Sequence, residues 1–218
     1  MKFKIAVVGA GSAGIQSVCN LLYKLDARWE VHLIHDPSKK TLGHIESTNP
    51  GFVSALSEGA NFDVIQDAEA LDCKLKFGTK YKRWRNHEFV NPLVTGIAAM
   101  NFDTTRMHEF VIPRIKEAWD FKFQEIHGSV TNLEDNLNHA IVEIDNIKHE
   151  YNFVVDCRGF YNQEDDSYVH LDHVVNRCFV YMQDSPVDSQ YTSHYATQDG
   201  WMWEIPLHSR TNFGYLFN

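Results

Sequence analysis

Gly9-Ala10-Gly11-Ser12-Ala13-Gly14 is the stretch that decides how this chain folds. A short apolar run from Phe3 to Val8 precedes it, and Ile15, Val18, Cys19, Leu21 and Leu22 follow at helical spacing. A second strand-like run then covers Val31 to Ile34. Strand, glycine turn, helix, strand is the opening of a parallel sheet with a right-handed crossover. In such a turn Gly9 permits the tight bend, Gly11 lets the backbone approach a diphosphate, and Gly14 lets the helix pack closely on the strand. Ser12 and Ala13 stand at the helix N-terminus, where an anion is received. The alternative is a glycine-rich loop that binds nothing. An acid at the end of the second strand should meet a ribose, and Asp36 lies at about the right distance. If the strand ends one residue earlier, His35 takes that place and Asp36 turns to solvent.

Farther along, Asn49-Pro50-Gly51 and Asn61-Phe62-Asp63 are turn-rich and bracket a short helix over Phe52 to Leu56. From Lys74 the residues alternate, with Lys74, Lys76, Lys80 and Lys82 on one side and Leu75, Phe77 and Tyr81 on the other, which predicts one strand. Thr104 or Thr105 caps a helix with apolar positions Met107, Phe110, Val111, Ile115 and Trp119, and Pro113 must kink it or shift its start. Phe121 to Ile126, Ala140 to Ile144 and Tyr151 to Val155 read as three further strands. The fold class expected is α/β, a Rossmann-like domain over residues 1–160 with a parallel sheet and an antiparallel insertion. Residues 165–200 show no strong period, and residues 161–218 are expected to begin a substrate-binding layer.

Composition narrows the function. An apolar fraction of 44% and an aromatic fraction of 13% suit a globular enzyme, and no stretch reaches the roughly eighteen apolar residues needed to cross a bilayer. Met1-Lys2-Phe3-Lys4 passes straight into Ile5-Ala6-Val7-Val8, with no sign of a secretion signal. Cys19, Cys73, Cys157 and Cys178 form no CxxC pair, so a reduced, cytoplasmic protein is the simplest reading. No metal is expected, because the best local candidate, His170-Leu171-Asp172-His173, supplies at most half a site. A formal net charge of −9 argues against nucleic acid as a partner.

Trp201-Met202-Trp203-Glu204-Ile205-Pro206 taken alone would be an aromatic core patch. Two indoles spaced two apart on an extended segment share one face and can wall off a cavity. Together with the glycine turn, Leu42-Gly43-His44-Ile45-Glu46-Ser47-Thr48, the lysine strand ending in Trp84, Asn101-Phe102-Asp103 and Asp156-Cys157-Arg158-Gly159-Phe160, this WxWxIP string resembles the flavin-dependent tryptophan halogenases, in the same order and over nearly the whole chain.

The resemblance implies FAD, used as FADH2, which with oxygen and halide gives a hypohalous acid that reaches an aromatic substrate beside a lysine. It implies that Lys76 is that lysine, where the residues alone leave open a place on a solvated strand face. It implies that Glu46, Ser47 and Thr48 end a strap over the flavin, that the Val130 backbone meets adenine, and that Asp156 and Gly159 lie near the diphosphate. It implies too that Trp201 and Trp203 keep organic substrate from the flavin and that Pro206 fixes the backbone there. The chain departs from the family at Ile45, where glycine is usual, and at Arg158, where serine is common. A separate flavin reductase is the implied partner.

Family members are generally about twice this length. The portion that supplies a glutamate base and the halide site lies beyond WxWxIP, so a fragment or one part of a split enzyme is expected. The last strand-like run, Asn212 to Phe217, would then leave an exposed edge. The alternative function is a non-catalytic FAD-binding module or a flavin monooxygenase.

Overall fold

The computed structural model describes residues 2–39, 47–85, 87–93, 98–159 and 172–218. Its elements run β1 (Phe3–Val8), α1 (Ser12–Lys24), β2 (Trp29–His35), α2 (Pro50–Ala60), β3 (Lys74–Lys76), β4 (Gly78–Trp84), β5 (His87–Pro92), β6 (Ala99–Asn101) and α3 (Thr104–Trp119). They continue with β7 (Phe123–His127), β8 (Val130–Asp135), β9 (Ala140–Ile144), β10 (Ile147–Tyr151), β11 (Phe153–Asp156), β12 (Arg177–Gln183), β13 (Tyr191–Ala196), β14 (Gly200–Pro206) and β15 (Thr211–Phe217).

The first of two compact units comprises residues 1–41, 54–62 and 105–161. Its sheet has the order β11-β1-β2-β7, parallel throughout. A strand flanked on both sides and covered on both faces reads as an unbroken apolar run, which is why Ile5 to Val8 lacks polar interruptions. Ala6 and Val8 pack with Ile34 against Val142, Ile144 and Tyr151 of an antiparallel meander, β10-β9-β8. Helix α1 buries Ile15, Val18, Cys19 and Leu22, one stripe at i, i+3, i+4 and i+7. The parallel sheet and antiparallel insertion are as the sequence predicts.

Helix α3 neither starts after Pro113 nor stops there; it runs through the proline. A proline inside a helix costs about 3 kcal/mol. Val111, Ile112 and Ile115 are buried on either side of it, and their packing offsets that cost. The Thr104 hydroxyl, an expected cap, is buried without a hydrogen bond among the described residues.

The second unit comprises residues 42–53, 63–104 and 162–218. The C-terminal segment of this unit begins at residue 162, and two earlier segments, 42–53 and 63–104, belong with it. The unit holds a six-stranded sheet, β12-β15-β14-β13-β4-β5, and a two-stranded one, β3-β6. The lysine run is not one strand. Phe77 donates its N–H to Gln190 O and accepts at its own carbonyl from Leu93, so β3 ends and β4 begins in a different sheet. Strand β15 lies between β14 and β12, so the expected exposed edge falls instead on β12 and β5. Two strands, β12 and β13, occupy the stretch that showed no period.

Asp72 fastens this unit. It is 2% exposed and accepts from Ser209 N at 2.7 Å, Ser209 Oγ at 2.8 Å and Arg210 Nη1 at 3.0 Å. Arg210 Nη1 also reaches Asp103 Oδ2 at 3.2 Å. Removing one partner of a buried ion pair leaves charge uncompensated, so Asp72→Ala should destabilise the chain by about 3–5 kcal/mol, read from urea unfolding.

Candidate active site

In the first unit, the loop after β1 is held from both neighbouring strands. Gly9 N donates to Ile34 O and Cys157 N to Val8 O, each at 2.8 Å. Gly9 has φ +104°, a conformation closed to most L residues, and a Cβ there would lie 2.5 Å from the Cys157 carbonyl. A Cβ on Gly14 would overlap the Gly9 carbonyl oxygen, so α1 starts as close to β1 as backbone atoms permit. Gly11 differs from both: a Cβ there would find nothing within 4 Å among the described residues.

The head of α1 carries no side-chain cap and no acid in its first turn. Ile15 N is the first helical donor, bonded to Gly11 O at 3.0 Å. The N–H groups of Ser12, Ala13 and Gly14 thus precede the first intrahelical bond, at the positive end of the helix dipole. Open space at Gly11 beside an uncapped helix start fits a diphosphate.

Asp36 follows β2 at the surface, and its Oδ1 accepts from Ser38 N and Oγ; these bonds hold its carboxyl below the usual range. His35 is buried and bonded through Nε2 to Glu125 Oε1 at 2.8 Å. Val130 opens β8 opposite Ile144. Asp156 ends β11 and is gripped by Arg158, whose backbone N, Nε and Nη2 donate at 3.1, 2.9 and 2.8 Å. Arg158 thus lowers the Asp156 pKa. Gly159 has φ +74°, and among the described residues nothing lies within 4 Å of its Cβ position.

In the second unit, the residues around Lys76 form a continuous network. Lys76 Nζ donates to Ser47 Oγ at 2.9 Å and Thr48 O at 3.1 Å. Ser47 Oγ meets Thr192 Oγ1 at 3.0 Å, Thr192 reaches Asn101 Oδ1 at 3.4 Å, and Asn101 Nδ2 donates to Pro206 O at 3.0 Å. Thr48 is pinned to β6 by bonds between its N, its Oγ1 and the Met100 backbone. Ser47, Thr48, Lys76 and Pro206 are therefore joined by one chain of hydrogen bonds, partly buried at Lys76 and fully buried at Asn101. Glu46 lies outside the described residues, as do Leu42 to Ile45 and the pair His170 and Leu171.

Lys76 does not lie on a solvated face. It is half-buried, and burial pushes its pKa below that of an ordinary lysine. Lys82 goes the other way, raised by its hydrogen bond to Tyr195, whose hydroxyl also meets Glu204.

Trp201 and Trp203 share a face of β14, with ring centroids 5.7 Å apart. The Trp203 ring lies over Gly214, where an added Cβ would collide with the ring. Its Nε1 is buried without a partner among the described residues. His194 packs on Trp201 at 5.2 Å; its pKa is lowered by burial and further by the charge of Lys76. His194 and Thr192 escaped the sequence reading, for no motif marks a histidine or threonine lying across a sheet from its partner.

The model of the tryptophan halogenase family matches residues 98–218, more than half of the chain. No curated protein matches by sequence. Among solved structures, a flavin-dependent halogenase from Xanthomonas campestris superposes with a TM-score of 0.76 at 18% identity, over 100% of this chain and 56% of its own. A tryptophan 6-halogenase from Streptomyces toxytricini gives 0.74 at 18% identity, over 99% and 56%. A flavin-dependent halogenase from Brevundimonas gives 0.75 at 14%, over 99% and 56%. The chain thus spans little more than half the length of these relatives. No helix among the described residues is long and apolar enough to cross a membrane. The match over residues 98–218, on a fold shared with solved halogenases, makes this chain a member of the tryptophan halogenase family.

Proposed function

We propose that the chain is the FAD-binding and lysine-bearing part of a flavin-dependent halogenase acting on an electron-rich aromatic such as the indole of tryptophan. When bound, reduced FAD would supply the electrons by which oxygen and halide become hypohalous acid and water. The residues to hold it are the glycine turn with the N–H groups of Ser12, Ala13 and Gly14, Asp36 at the ribose, the Val130 backbone at adenine, and Asp156 with Gly159 near the diphosphate. The cofactor would arrive reduced, from a separate flavin reductase in the cytoplasm.

The observation that carries the reading is the placement of the Lys76 ammonium. Two of its three N–H bonds are aimed at Ser47 and Thr48, which fixes Nζ in a desolvated position. The remaining N–H donates to the oxygen of hypohalous acid and polarises the O–X bond. As the ring carbon forms its bond to halogen, the O–X electron pair goes to oxygen, which takes a proton and leaves as water; the ring then loses its own proton. Trp201 and Trp203 form the wall that keeps the aromatic substrate from the flavin, and Pro206 holds that wall to the network through its carbonyl.

The test is to express the chain, measure bound FAD, and assay halide-dependent product with a flavin reductase. Aryl halide formed only when halide is supplied is the expected result. Bound flavin with no product would instead select a flavin-binding module without turnover. Because the reaction needs the ammonium, its rate should fall as pH rises through the pKa of Lys76. Burial lowers that pKa, so the alkaline limb should lie below 10.5, the value of an unperturbed lysine. A pH–rate profile flat to that value would remove Lys76 from the proton-donating role.

A further inference from the structure

Four side chains of the first unit converge on one point although the sequence scatters them. His35 closes β2, Glu125 and His127 lie on β7, and His108 is on α3. His35 and His127 are paired in register on adjacent parallel strands, so they project from the same face, with Glu125 two residues before His127. Glu125 Oε1 lies 2.8 Å from His35 Nε2, 3.2 Å from His127 Nε2 and 3.5 Å from His108 Nε2. His35 and His108 approach each other through Nε2 at 3.4 Å. Lys116 Nζ, two turns along α3, holds the other carboxylate oxygen at 2.6 Å.

As a hydrogen-bond cluster this is a poor arrangement. Three imidazoles present the same nitrogen to one oxygen, and two of them point that nitrogen at each other, where only one can carry a proton. For a cation the same geometry is apt. Ligand atoms bonded to tetrahedral zinc at about 2.0–2.1 Å are about 3.3 Å from one another, and four of the six separations in this set, 2.8, 3.2, 3.4 and 3.5 Å, bracket that edge, while His108 must shift toward His127 to complete it. The ligand atoms of His35, Glu125 and His127 all lie within 4.8 Å. His127 is 59% exposed and His108 34%, so the rim ligands can adjust and a metal can enter.

We propose that His35, His108, Glu125 and His127 bind a divalent transition metal, with Zn²⁺ the best match to three imidazole nitrogens and one carboxylate oxygen. Lys116 is a positioning residue that orients the carboxylate through its second oxygen. Four protein ligands leave no open coordination position, so the ion is structural and ties β2, β7 and α3 together. The site stands on its own residues and is independent of Lys76 and of the halogenation reading.

The test uses the full chain, freed of any histidine tag and stripped with chelator. Zn²⁺ is titrated in competition with a chromophoric chelator, Co²⁺ is substituted as a spectroscopic probe, and thermal unfolding is followed with and without Zn²⁺. The expected results are one metal per chain, the intense visible absorption of tetrahedral Co²⁺, and a higher melting temperature with Zn²⁺. The double variant His108→Asn/His127→Asn changes two partly exposed positions, so it should remain folded. It should bind Zn²⁺ more than about 100-fold more weakly, since loss of even an outer partner costs about 10–100-fold. Equal Zn²⁺ affinity in the chain and the double variant would overturn the site, as would an octahedral Co²⁺ spectrum. A loss of affinity in His170→Asn/His173→Asn instead would move the metal elsewhere and overturn it too.

Discussion

Lys76→Ala is expected to lower halide-dependent product formation by about two to four orders of magnitude, the usual worth of a positioned proton donor, while the chain still folds and still binds flavin. The side chain contributes two hydrogen bonds in a half-buried place. After truncation Ser47 Oγ keeps Thr192 as a partner and Thr48 stays pinned to the Met100 backbone, so only the Thr48 carbonyl loses a donor. Leaving one such group unmade costs about 1–3 kcal/mol, a loss the unit can bear. Lys76→Met keeps the stem that packs there and removes only the N–H donors. It should fail as completely as alanine, which separates lost chemistry from lost packing. Product formation and flavin titration on the same preparations decide the matter; a Lys76→Met chain that halogenates at the parent rate would sink the assignment.

The second large effect is on folding. Gly14→Ala places a methyl group on the Gly9 carbonyl oxygen and 2.9 Å from the carbonyl carbon. Neither atom can give way, because Gly9 is held by Ile34 and a shift would drive it toward the Cys157 carbonyl. Helix α1 must therefore move off β1, breaking the packing of Ile15, Val18 and Leu22. Backbone overlap combined with lost core contact belongs to the rare class of substitutions costing more than about 4 kcal/mol. We expect a chain that is largely unfolded and binds no flavin.

Gly11→Ala is the contrast. Gly11 has φ −72°, which alanine adopts freely, and its added methyl meets nothing within 4 Å among the described residues. Its melting temperature should stay close to the parent value while flavin affinity falls at least about tenfold, because the methyl group occupies the approach to the diphosphate. If Gly11→Ala leaves flavin affinity unchanged, the diphosphate does not sit at this turn.

Much of the first unit could be read from the chain itself. The apolar run of β1, the three glycines and the stripe on α1 are local patterns. They specify strand, turn and helix within about twenty residues, and the structure follows them closely. The indole pair on β14 is equally local, since alternation along an extended strand forces both rings to one side.

Where partners are distant, the local pattern fails. Strand β12 carries an unbroken apolar run, Cys178 to Met182, without the apolar–polar alternation of a half-buried strand, and it is exposed on nearly every residue; pairing with β15 places it in the sheet. The lysine run alternates without a break, yet Gln190 and Leu93 split it between two sheets. Pro113 is expected to kink α3 or shift its start, yet the helix begins at Thr104 and runs through the proline, with buried side chains on both sides of it.

Sequence alone determined the dinucleotide-type turn, the family and the candidate lysine, because each rests on residues close together or in a fixed order along the chain. Tertiary structure alone decided that Lys76 is desolvated on a hydrogen-bonded path to Pro206, and that His35, His108, Glu125 and His127 meet around one point. Both depend on strand pairing between residues tens of positions apart, and pairing of that range leaves no trace in the spacing of side chains along the chain.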